Sequence, residues 1–208
     1  VATHGRTVAG EADLVAEVVS GRIEPPADIP GEIFAPALAT VLKQRRLDMQ
    51  GLAGELGISR ATLYRRGGSR ELLLGAVWWY LTKIAMTRAY QAAAEMSGPS
   101  RVVAVAELFM RDVSSRAPLR RFLAAEPEAA LRVLASANGP VQAGIVAVYR
   151  RVIAEEREAG RLQTAVDDDT LAFAIVRIGE GFLYSDVIAD REPEIDRAVS
   201  VYRELLRV

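Results

Sequence analysis

The chain has 208 residues, half of them hydrophobic, enough for one large domain or a small one joined to a medium one. Lys and Arg number 26 against 27 Asp and Glu, so any nucleic-acid binding must come from a local patch within a chain whose net charge is near −1. Cysteine is absent, which excludes disulfides, zinc–thiolate sites and thiol nucleophiles, and fits a cytoplasmic protein.

From the N-terminus, Val1 to Ile23 holds no continuous apolar core of signal-peptide length. No apolar run reaches the roughly 18 residues that span a bilayer. The most apolar stretch, Leu171 to Tyr184, is interrupted by Arg177 and Glu180. A soluble protein without membrane contact is expected.

Prolines at 25, 26, 30, 36, 99, 118, 127, 140 and 193 fall outside the long apolar-periodic segments. Between them apolar residues recur at spacings of three and four, with no sustained alternation, so the fold class is all-α. Residues 1–30 read as a polar, Pro-containing extension with a short helix around Glu11–Val19. Helices are then expected near 32–45, 49–56, 59–66, 70–96, 101–113, 118–124, 127–136, 140–159, 168–189 and 194–207. Asp48, Ser59 and Ser69 each precede a helical run, where a side-chain oxygen can accept from an unpaired backbone N–H. Gly57 and Gly160 stand where a helix must end with positive φ. The segment 70–96 reads as one long helix with Leu73, Val77, Tyr80, Leu81 and Ile84 on one face. This organisation predicts an extension over 1–30, a small head over 31–75 and a larger domain over 76–208.

Residues 48–66, DMQGLAGELGISRATLYRR, carry the most specific pattern. Asp48 caps a short helix, Gly57 turns the chain, and Ser59 caps a second. Leu52, Leu56, Ile58 and Leu63 supply a shared core, and Ala53 is the small residue where two helices cross. Together these form a helix-turn-helix pattern, whose second helix can present its N-terminal residues to a major groove. The charge is segregated accordingly. Between Lys43 and Arg70 seven cations face two anions, a local excess of +5 in a chain near −1 overall. Such a patch is what neutralising a phosphate backbone requires, and Thr62 and Tyr64 add neutral donors.

The segment ISRATLYRRGGSRELL, Ile58 to Leu73, closely resembles the signature of the TetR family, where a recognition helix ending in Thr-Leu-Tyr leads through Ser-Lys-Glu into a long linking helix. LDMQGLAGELG, Leu47 to Gly57, is similar to the preceding helix of that family. EAGRLQTAVDDDTLAFAIVRIGEGFLY and the terminal ELLRV are similar to its last sensor helices. The run Arg66–Gly67–Gly68–Ser69–Arg70 resembles the branch of regulators of quorum-signal degradation. The resemblance implies a DNA-binding head whose recognition-helix positions are Arg60, Ala61, Thr62, Tyr64 and Arg65. It places Arg70 at the family's phosphate-contacting Lys. Two departures stand out. Arg66 and Gly67 replace an aromatic and a Phe, which removes a core aromatic and adds a cation of open role, and the link into Leu47 is short.

Catalysis is not expected. The single His is His4, and no P-loop, G-x-G-x-x-G or G-x-S-x-G run is present. Asp167–Asp168–Asp169 precede an apolar run and read as an N-cap rather than a metal site, and no cofactor is implied. Ligand binding has more behind it. Segment 171–187 is apolar nearly all round, and a stripe of Ile195, Ala198, Val199, Tyr202, Leu205 and Leu206 runs along the last helix. A helix of that kind needs more cover than one sensor domain offers, so a homodimer seam is expected. Pocket candidates are Trp78, Trp79, Phe109, Met110, Phe122 and Tyr149, with Arg177 and Glu180 either an ion pair or a polar group facing the ligand. The expectation is a dimeric repressor of a palindromic operator, released by a small, largely apolar effector. The alternative is a helical ligand-binding or scaffolding dimer with a degenerate head.

Overall fold

A computed structural model describes residues 15–136, 139–185 and 193–208. The His4 arm, the expected helix start at Glu11 and the expected end of the 168–189 helix lie outside the described residues. The described residues form helices and no strand, and no helix among them is long and apolar enough to cross a membrane. After a helical run over 15–20, the helices in chain order are α1 (Gly31–Leu42), α2 (Met49–Glu55), α3 (Arg60–Gly67), α4 (Arg70–Ala92) and α5 (Gly98–Ser115). They continue as α6 (Ala117–Ala125), α7 (Pro127–Leu134), α8 (Pro140–Glu158), α9 (Asp168–Leu183) and α10 (Ile195–Leu206).

The boundaries have local causes. Asp48 accepts from the Gly51 N–H at 2.7 Å, Ser59 from Thr62 at 3.1 Å, and Ser69 from Leu72 at 3.2 Å. Each bond satisfies one orphan donor of a first turn. Gly57 and Gly160 adopt φ of 65° and 71°. Asp167 is the N-cap of α9 and accepts from Thr170, while Asp168 and Asp169 pair with Arg157 and Arg150. Pro36 lies inside α1 rather than ending it, and the Thr40 hydroxyl donates to its carbonyl at 2.9 Å.

The long helix departs from the one-faced pattern expected of it. α4 stops at Ala92, four residues early, and from Leu73 to Ala89 it is buried on most sides. Its position explains this: α1, α5, α7 and α8 all pack on it. Two contacts set the close approaches between helices. Gly144 of α8 admits the ring of Trp79, and Gly179 of α9 admits the hydroxyl of Tyr202 from α10, which donates to the Ile175 carbonyl at 2.9 Å. The extension straps α4, because buried Lys83 donates to Glu17 at 2.5 Å and to the Glu24 carbonyl at 3.1 Å.

The far end of α4 is tied by a buried ionic knot. The fully buried Glu156 accepts from Arg101 at 2.7 Å, from the Gly98 N–H at 2.7 Å and from Arg161 at 2.6 Å. Arg101 also meets Glu155 at 2.9 Å and lies over the Tyr90 ring, 5.0 Å from its centroid. The ends of α4 and α8 and the start of α5 therefore meet at one charged cluster whose carboxylates are multiply bonded, as burial demands.

Candidate nucleic-acid interface and sensor cavity

The head is built on Ile33, Leu47, Leu52, Ala53 and Leu63, all buried, with Leu56 and Ile58 half-buried against them. Gly67 is buried where the resemblance implied an aromatic. A Cβ there would fall 3.0 Å from Cγ2 of Ile33. Ile33 of α1 fills the space beside Gly67, and Glu32 of the same helix forms an ion pair with Arg66. That pair and the Glu32 backbone N–H hold the Glu32 carboxyl below its usual range, the N–H contributing more.

On α3 the exposed residues are Arg60, Ala61, Tyr64, Arg65 and Arg66. Positions three and four apart share a helix face, so Arg60 and Tyr64 stand together, as do Ala61 and Arg65. Tyr64 is 42% exposed, so much of its ring faces solvent. Among the described residues Arg60 and Arg65 form no ion pair, while the Thr62 hydroxyl is engaged with Ser59 at 3.0 Å. This is a capped helix with exposed cations on its outer face.

Arg66 and Arg70 differ from these. Arg66 is held by Glu32. Arg70 is turned inward, its Nη2 donating to both carboxylate oxygens of Glu126 at 2.8 and 2.7 Å and its Nε to the Leu47 carbonyl at 2.7 Å. Arg46 reaches the same carboxylate at 3.3 Å. Glu126 carries no motif, and its spacing from Arg70 gives the sequence no signal of the pairing.

Beside α4 lies an apolar cavity of about 450 Å³. Trp78, Leu81 and Ile84 of α4, Phe109 of α5 and Leu119 of α6 form much of its wall, and Arg88, Asp112 and Arg116 add a charged cluster. Leu38 and Leu42 of α1 also line it, so the cavity touches the head directly. No periodicity marked those two residues as pocket-forming. The indole N–H of Trp78 is buried without a partner among the described residues.

The candidate ligand residues fall in different places. Trp78 and Phe109 line the cavity. Phe122 stacks on Trp78 with centroids 5.3 Å apart and planes 11° from parallel. Met110, Tyr149 and Glu180 surround a neighbouring void of about 20 Å³. Trp79 packs instead on Gly144. Arg177 is exposed and donates to Glu180 at 2.7 Å, so the two form the intrahelical ion pair. Glu180 also accepts from Gln142 at 2.9 and 3.1 Å, and burial raises its pKa against those partners.

Comparison with known proteins agrees with this arrangement. A family model described as Tetracyclin repressor-like, C-terminal domain, matches residues 97–207, more than half of the chain. A solved structure of the R. erythropolis transcriptional repressor QsdR, described as from the TetR family, is 30% identical with a TM-score of 0.73. The match covers 85% of this chain and 93% of that one. No curated protein matches. With a capped helix-turn-helix at one end of α4 and a sensor-like helical body at the other, the chain belongs to the TetR family of transcriptional regulators, which are not enzymes.

Proposed function

We propose that the protein is a homodimeric repressor that binds a palindromic operator through α3 and releases it when a small, mostly apolar effector fills the cavity beside α4. The observation that carries this reading is the outer face of α3, where Arg60, Tyr64 and Arg65 are exposed and the two arginines form no ion pair among the described residues, in a head with a local excess of positive charge. Unpaired cations on a helix anchored at its N-cap suit base-edge and phosphate contact. The 31–75 head and 76–208 body would act as separate units joined by α4, with α3 delivering Arg60, Ala61, Thr62, Tyr64 and Arg65. Arg66 would serve through its bond to α1. A repressor of chromosomal DNA works in the cytoplasm.

The cavity supports an apolar effector of modest size. The unpartnered Trp78 N–H suits an effector with one hydrogen-bond acceptor. Because Leu38 and Leu42 share the wall, an occupant would press on head and sensor together. That supports a population shift toward dimers whose recognition helices are mis-spaced for adjacent major grooves.

Dimerisation is supported by α9 and α10. Phe173 is 50% exposed, Leu205 40% and Val201 39%, with Ile178 half-buried beside them. An apolar face of this kind on paired helices suits an isologous seam. The degenerate-head alternative rested on the glycine at 67, and Ile33 filling that place supports an intact head.

The test is fluorescence anisotropy against the gene's own upstream DNA and scrambled DNA over a salt series, followed by genome-wide selection. A preferred site with two half-sites one helical turn apart, or a multiple of it, is expected. Failure to select any palindromic site would leave the ligand-binding dimer as the function.

A further inference from the structure

We infer that Glu126 competes with operator phosphate for Arg70, so that the junction of α6 and α7 controls the DNA-binding head. This rests on the operator-binding reading above. Arg70 is the first residue of α4, at the positive end of the helix dipole, where a cation is disfavoured. Glu126 compensates from 56 positions along the chain. Both sit in a partly enclosed place, with side chains 17% and 15% exposed. Both Nη2 bonds go to Glu126 and the Nε bond to Leu47, which leaves Nη1 as the guanidinium nitrogen without a hydrogen bond among the described residues. A phosphate approaching Arg70 there meets the Glu126 charge as well. Carboxylate and phosphate want the same fork of donors, and Arg70 can turn fully to DNA only by leaving Glu126.

Glu126 is placed to transmit a signal. It is the last capping residue of α6 and the first of α7: its N–H donates to the Phe122 carbonyl at 2.9 Å, and its own carbonyl accepts from Ala130 at 2.8 Å. Its carboxylate therefore moves with both helices. α6 lines the cavity through Pro118 and Leu119 and stacks Phe122 on Trp78. An occupant that seats α6 against α4 keeps Glu126 on Arg70, and by reciprocal coupling bound DNA that draws Arg70 away loosens the junction.

Glu126→Gln keeps the shape and removes the charge. In operator anisotropy at fixed salt it should tighten binding by about tenfold, the scale of one charge-assisted hydrogen bond. In an Arg70→Ala background the same change should have little effect, which isolates the pair from general charge repulsion. Hydrogen exchange across 117–134 should quicken when wild type binds operator, and should already be quick in free Glu126→Gln. Should that variant melt too low to assay, Glu126→Asp should shift affinity in the same direction by less. Glu126→Gln binding that is unchanged, or weakened in step with Arg70→Ala, overturns the competition while wild-type operator binding stands. Wild type with no preferred DNA overturns the operator reading itself, and this inference with it.

Discussion

Gly144 of α8 lies so close under the six-membered ring of Trp79 on α4 that a Cβ there would fall 2.2 Å from the nearest ring carbon. Ring and glycine set the distance between the two helices that flank the sensor core. Gly144→Ala should destabilise the protein by about 1–3 kcal/mol through overpacking, read as a lower denaturation midpoint with unchanged slope. Adding Trp79→Phe should recover part of that loss, because the smaller ring leaves room for the methyl. Equal stability of Gly144→Ala and wild type would show that the helices are free to separate.

Arg60 stands at the start of α3, exposed and without an ion pair among the described residues, where on the proposed reading it would make a bidentate contact to guanine. Arg60→Ala should weaken operator binding by roughly tenfold to a hundredfold while changing random-sequence binding little, so the specificity ratio falls. Parallel losses on both DNAs would reassign Arg60 to phosphate.

The exposed apolar residues of α9 and α10 should lie in a dimer seam. Ile178→Asp or Leu205→Asp should give monomers or aggregates in sedimentation, since a charge in such a seam has no partner. A wild-type protein that stays monomeric at tens of micromolar would remove the dimer, and the half-site spacing with it.

Two buried carboxylates should respond to pH in opposite senses. Arg161, with Arg101 and the Gly98 N–H, holds the Glu156 carboxyl at about 2, against burial. Its folded pKa lies below the ordinary 4.5, so its stabilisation is present above 4.5 and is lost as pH falls toward 2. Burial raises Glu180 above its ordinary 4.5, so the folded state holds that proton more tightly and stability falls as pH rises above 4.5. Glu156→Gln should flatten the acid limb of a melting-temperature profile and cost roughly 3 kcal/mol at neutral pH. Glu180→Gln should flatten the slope above 4.5 with little loss. A Glu180→Gln profile that parallels wild type would mean that Gln142 and Arg177 fully offset its burial.

The head was legible in the sequence because its signals are local. A cap at Asp48, a turn at Gly57 and a cap at Ser59 each act within four residues, and each is found in place. The charge excess was legible too, but not how it is apportioned. Arg60 and Arg70 carry the same charge ten positions apart, yet among the described residues one forms no ion pair and the other is bound to Glu126, 56 positions along the chain. Periodicity misread α4, because a helix with four neighbours has no polar face to reveal its amphipathic phase. The cavity was legible only in part. Trp78 and Phe109 were candidates as bulky apolar side chains, whereas Leu38 and Leu42 join the wall through the packing of α1 on α4.

The knot at Glu156 gives α4 a fulcrum. With Tyr90 donating to Glu155 there, any tilt of the 23-residue helix would pivot at this end. At about 1.5 Å per residue, Arg70 lies about 30 Å from Tyr90, and the cavity-lining Ala85 about 8 Å from it. A tilt that shifts Ala85 by a given amount would carry Arg70 roughly four times as far. Sub-ångström settling of the cavity wall would thus become ångström-scale travel where the helix meets the head, with the buried charges at the opposite end as the pivot.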